Sequence, residues 1–176
     1  MNANFLRALA LVLVHEGGYS NNSADPGGAT MRGVIQRVYD AYRQRAGLTT
    51  RSVKQLTDDE LREIYRTRYW DKVDGDELPA GLDYCVFDAG VNSGVFQAIK
   101  WLQRAINDVA GKTLVVDGAL GPITLAAAEN TQSINMVIDK MCDRRLAMLK
   151  GLRTWDVFGK GWAARVSEVR AKAKDF

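Results

Sequence analysis

The sequence predicts a mainly α chain with a small β-hairpin after the first helix. Three observations carry that reading. Apolar residues recur at helical spacing in one segment after another. The stretch from Tyr19 to Thr30 breaks the pattern with polar, glycine-rich sequence. The 176 residues hold 47% hydrophobic side chains and three prolines, enough for one compact domain or two small lobes with a common interface.

Residues 3–16 are the first predicted helix, with Phe5, Leu9 and Val12 at helical spacing and Leu6 and Leu13 beside them. Gly17 and Gly18 are expected to stop it, because glycine takes the left-handed cap conformation without a Cβ penalty. In the hairpin stretch, Asp25-Pro26-Gly27 reads as a turn. A second helix is expected from Val34 to about Ala46, ending at Gly47. Thr57-Asp58-Asp59-Glu60 has the form of a capping box and opens a helix with Leu61, Ile64 and Tyr65 on its apolar face, ending near Tyr69-Trp70. After a break from Gly75 to Gly81, helices are expected over about 80–92 and 94–109. Pro122 stands at the first position of a helix from Ile123 to Glu129. Ser133 is expected to cap a long helix to about Leu152, and a last helix runs from about Phe158 to Ala173. No linker-like stretch divides the chain, so residues 1–83 and 84–176 are expected to form two lobes packed into one body.

The net charge of +3, with a pI of about 8.9, favours approach to an anionic polymer but is too small to indicate nucleic acid. No run approaches the ~20 apolar residues of a membrane helix. The N-terminus is not read as a secretory signal, since Arg7 interrupts the apolar run and no basic leader precedes it. One histidine and two scattered cysteines argue against a metal site, and no cofactor is expected. Cys85 and Cys142 read as free, buried thiols. Asp25-Pro26-Gly27-Gly28 lacks the Gly-Lys-Ser/Thr ending of a phosphate loop. The basic tail from Arg165 to Lys174 reads as a solvated helix face.

The chemistry concentrates at the end of the first helix. Its apolar face runs straight into Glu16, where the negative end of the helix dipole and partial burial both favour the protonated carboxyl that a general acid requires. Taken alone, a glutamate at a helix end is more simply a solvated side chain. Asp25 and Thr30 follow nine and fourteen positions on. Their plain readings are a turn former and a local hydroxyl-to-backbone bond. His15 points about 100° away from Glu16 on the helix and reads as structural.

Glu16-Gly17-Gly18-Tyr19 followed by Asp25-Pro26-Gly27-Gly28-Ala29-Thr30 resembles the start of glycoside hydrolase family 108, bacterial and phage N-acetylmuramidases. The spacing is also similar to the Glu, Asp, Thr triad of phage-type lysozymes, which differ by one residue between Asp and Thr. The resemblance implies a lysozyme-like fold of two lobes with a cleft. It implies hydrolysis of the β-1,4 bond between N-acetylmuramic acid and N-acetylglucosamine, with Glu16 as acid. Asp25 would orient water or steady the oxocarbenium-like charge, and Thr30 would hold that water. Tyr19 would line the sugar site, with plain packing as its alternative. Met31 stands where the family usually has Asn.

From Tyr84 on, the chain resembles the type-3 peptidoglycan-binding domain that accompanies this catalytic segment. Phe87-Asp88, Val91-Asn92-Ser93-Gly94, Trp101-Leu102-Gln103 and Asp117-Gly118 through Gly121-Pro122 to Thr124 carry that resemblance. It gives Asp88 and Asn92, four apart on one helix face, as substrate contacts; a buried polar pair bracing the lobes is the alternative. The expected partner is the peptidoglycan glycan strand, met by a monomer that is made in the cytoplasm and released to the periplasm, by a holin-type pore for instance. Lytic transglycosylation and a non-catalytic wall-binding accessory role are the competing readings.

Overall fold

The computed structural model describes residues 3–21, 28–111 and 114–176. The mainly α, lysozyme-like architecture is what it shows: eight α-helices and a three-stranded antiparallel sheet among the described residues. The chain forms two compact units, Leu9–Arg68 on the one hand and Met1–Ala8 with Tyr69–Phe176 on the other. That division falls upstream of the boundary expected at residue 83, and the start of the first helix belongs with the C-terminal unit.

In the Leu9–Arg68 unit, α1 (Ala3–Val14) delivers its second half, and the chain then enters the sheet of β1 (Tyr19–Ser20), β2 (Thr30–Met31) and β3 (Val34–Ile35). β2 pairs with both neighbours, Ser20 opposite Thr30 and Met31 opposite Val34. Val34 and Ile35 were expected to open the second helix; they complete the sheet instead, and α2 runs over Gln36–Arg45. Both residues are β-branched, and the register with β2 buries Val34. Across a 3-10 turn at Val53–Gln55 lies α3 (Asp58–Tyr65), opened by the predicted capping box. The Glu60 amide donates to Thr57 Oγ1 (3.3 Å), and Thr57 N–H donates back to the Glu60 carboxylate (3.0 Å). The same carboxylate is the polar centre of the unit. It accepts from Tyr39 Oη (2.7 Å), from Arg51 Nη2 (2.9 Å) and from Arg43 Nη1. Burial by itself pushes Glu60 up, but the Thr57 amide, the Tyr39 hydroxyl and Arg51 outweigh it and bring the carboxyl down to about 2.

In the C-terminal unit, α4 (Leu82–Ser93) is buried along its whole first nine residues, so it is a helix enclosed on every side rather than an amphipathic one. It packs against α5 (Val95–Ala110), α7 (Ile134–Lys150) and α8 (Trp155–Lys174), with α6 (Pro122–Glu129) against α5. Phe5, Trp70 and Phe87 meet edge to face, with ring centroids 5.4–6.1 Å apart. Pro122 opens α6 as predicted. Ser133 holds the N-cap position of α7, but its hydroxyl makes no capping bond. α8 begins three residues before the expected start, at Trp155. Arg165 does not lie on a solvated face: it turns inward to Asp88, while Arg170 and Lys174 pair with Asp139 on α7. The Cys85 and Cys142 thiols are free and buried, with sulfurs 3.9 Å apart. No helix of the described residues is long and apolar enough to cross a membrane.

Candidate active site

Glu16 stands just past the last turn of α1, which ends at Val14 rather than at residue 16. His15 N–H and Glu16 N–H still donate three residues back, to Val12 O (3.0 Å) and Leu13 O (3.3 Å). Neither Gly17 nor Gly18 takes the left-handed conformation expected of a helix cap. Both are exposed, with open space where a Cβ would stand, and they carry the chain directly into β1. Because β1 lies along β2, the Glu16 side chain comes up against the turn that joins β2 to β3.

That turn is the structural surprise of the unit. Met31 pairs with Val34, so Arg32 and Gly33 alone make the reversal, with φ of 49° and 79°. Two central residues at positive φ define a type I′ hairpin turn, whose twist suits the flanking strands. Glycine takes this conformation freely; arginine at such a φ is strained by ~1 kcal/mol or more. Three bonds hold Arg32 there: its N–H donates to Gly18 O (3.4 Å), its carbonyl accepts from Tyr65 Oη (2.9 Å), and its guanidinium pairs with Asp58 (2.5 Å). Gly33 has a second reason to lack a side chain. A Cβ built on it would stand closer than 3.0 Å to both Glu16 Oε2 and Tyr65 Oη. The half-buried Glu16 carboxyl and the hydroxyl of Tyr65, itself 2% exposed, thus converge on one backbone position.

Thr30 lies in β2 on the same hairpin, half-buried, and its hydroxyl donates to Gly28 O (3.3 Å). The local bond foreseen for it is formed, and the oxygen lone pairs are left to accept from another donor. Asp25 lies outside the described residues. Tyr19, in β1, is 39% exposed, and Lys54 Nζ sits 4.3 Å from its ring centroid. The structure therefore assembles Glu16, Tyr19 and Thr30 within one unit around one small sheet.

The other two expected substrate contacts belong to the C-terminal unit, and Asp88 is corrected. Its carboxylate is 0% exposed, accepting from Arg145 Nη1 at 2.6 Å and from Arg165 Nη2 at 2.9 Å. Desolvation acts to raise it, but the two guanidiniums prevail and hold Asp88 below the usual carboxylate range. With no oxygen open to a sugar, it ties α4 to α7 and α8, which is the bracing alternative confined to one unit. Asn92 is exposed at the end of α4, its side-chain oxygen accepting from Arg145 Nη2 (3.1 Å). Among the described residues, no group of His, Cys, Asp and Glu has the composition of a metal site.

Sequence reasoning missed Gly33 and Tyr65. Tyr65 was counted with the apolar face of α3, and nothing in its spacing marks the hydroxyl. Gly33 after Arg32, with the β-branched Val34 and Ile35 following, was the available signal of a tight turn.

The described residues thus form a mainly α, lysozyme-like fold with the Glu16 carboxyl lodged between the end of α1 and a hairpin turn. Residues 9–94 match the family Glycosyl hydrolase 108, and residues 97–167 match the family described as Predicted Peptidoglycan domain. The structure of Brucella abortus SagA is similar over 98% of this chain and 94% of that one, with 41% sequence identity and a TM-score of 0.80. No curated protein gives a significant match. The chain belongs to glycosyl hydrolase family 108, a glycoside hydrolase family, and its C-terminal region marks peptidoglycan as the ligand.

Proposed function

We propose that this protein is a muramidase that hydrolyses the β-1,4 bond between N-acetylmuramic acid and N-acetylglucosamine, with Glu16 as the general acid. The observation that supports it best is the lodging of the Glu16 carboxyl against Gly33 and Tyr65, at the start of the segment that matches the hydrolase family. Glycoside hydrolysis needs a proton for the leaving oxygen and a water for the sugar carbon. Glu16 gives its proton to the glycosidic oxygen as the C1–O bond breaks, leaving an oxocarbenium-like sugar. A water held by Thr30 adds to C1 and loses its proton to Asp25. Tyr19 offers an aromatic face to a sugar ring. The enzyme acts as a monomer on the periplasmic wall after release from the cytoplasm.

Loss of turbidity of purified sacculi, with mass spectra of the products, tests this reading. The reading expects reducing sugars, and Asp25→Ala and Thr30→Ala should each slow their release. Anhydro-sugars would indicate a lytic transglycosylase instead. Protein that sediments with sacculi but never clears them would indicate a wall-binding accessory.

A further inference from the structure

We propose that Tyr65 is a positioning residue for the Glu16 carboxyl; this rests on the reading of Glu16 as the acid. Four observations lead there. Tyr65 Oη and Glu16 Oε2 each come closer than 3.0 Å to the same point over Gly33, so the two side chains are neighbours across a single glycine. The phenol is buried on α3 and cannot swing away, and its only proton goes to Arg32 O at 2.9 Å, which fixes the hydroxyl in direction as well as place. Arg32 is held at a φ of 49° that it would not adopt freely, so the turn is kept under strain in the position that receives Tyr65. Oε2 is the carboxyl oxygen against Gly33, within 3.0 Å of the Cβ position, while Glu16 Cδ is 3.4 Å from it.

A free glutamate samples many rotamers, and proton transfer needs one of them. Gly33 gives the carboxyl room to enter, and Tyr65 closes the side on which it would otherwise turn. The hydroxyl touches no sugar and moves no proton; it acts through Glu16.

Three variants test this on soluble oligomers of alternating N-acetylglucosamine and N-acetylmuramic acid. Tyr65→Phe keeps the ring and removes Oη. Its kcat is expected to fall about tenfold with KM unchanged, about the rate difference that 1.4 kcal/mol of positioning would give. Asp58→Asn weakens the side-chain tether of Arg32 and leaves Tyr65 in place; its kcat should stay within twofold of wild type. Gly33→Ala disturbs the same contact from the other side, its Cβ pressing on the Tyr65 hydroxyl and the Glu16 carboxyl together, and in the folded variant it too should lose kcat at constant KM. Wild-type kcat in Tyr65→Phe or in Gly33→Ala overturns the proposal, and so does an equal loss in Asp58→Asn, which would make Tyr65 a mere hairpin tether. In both cases an inactive Glu16→Gln leaves the acid assignment standing. An active Glu16→Gln removes the assignment and the positioning role together.

Discussion

The Glu16 carboxyl and the Tyr65 hydroxyl meet over Gly33, closer to its α-carbon substituent position than any side chain would allow. The glycine is fixed twice, by its φ of 79° and by the two oxygen atoms above it. Gly33→Ala is therefore expected to cost about 1–3 kcal/mol of stability from backbone strain and displacement. Urea unfolding should show a lowered midpoint at an unchanged slope.

Glu60 predicts how the Leu9–Arg68 unit responds to acid. Its folded value of about 2 lies below the ordinary 4.5, so the unfolded chain takes up this proton first as pH falls. The stability it contributes is complete above about pH 5 and is lost progressively down to about pH 2. Denaturant midpoints measured from pH 7 to pH 2 should fall through that window. Glu60→Gln should flatten the fall and cost about 3 kcal/mol at pH 7, because Arg43 and Arg51 lose their carboxylate.

Asp88 separates bracing from binding. Asp88→Asn leaves Arg145 and Arg165 facing a neutral amide inside the C-terminal unit. A loss of about 3–5 kcal/mol is expected. Thermal unfolding followed by circular dichroism measures it. Once the variant is folded at low temperature, its retention on sacculi should equal that of wild type.

Tyr19 is expected to behave in the opposite way. Its ring is exposed with Lys54 Nζ over it, so Tyr19→Ala should change stability by less than about 0.5 kcal/mol. Loss of a stacking surface should raise KM several-fold with kcat largely kept, as steady-state kinetics on soluble glycan would show.

Most of the helices were legible because each carries its own local signals. Thr57 and Glu60 form their capping box, Pro122 opens α6, and the apolar spacing located α4, α5 and α7 to within two residues. Misreadings fell where tertiary partners decide. Val34 and Ile35 fit a helix pattern, but pairing with Thr30 and Met31 draws them into the sheet. Arg165 looked like one of a row of surface cations; the carboxylate that turns it inward is 77 positions away. Glu16 was singled out by its motif and its place after an apolar helix. The hydroxyl of Tyr65 was invisible for a plain reason: a buried tyrosine and a buried phenylalanine leave the same periodic trace. Gly17 and Gly18 announced a break in the helix, but α1 ends two residues before the expected Glu16 and neither glycine adopts the left-handed cap, so the break was legible and its place and geometry were not.

The most direct test is the clearing of purified sacculi by Glu16→Gln beside wild type, with circular dichroism to verify the fold. The amide keeps the shape of the side chain and removes the transferable proton. No turbidity loss from a folded variant is the result predicted here. Clearing at the wild-type rate would contradict it, because the proton would then come from elsewhere.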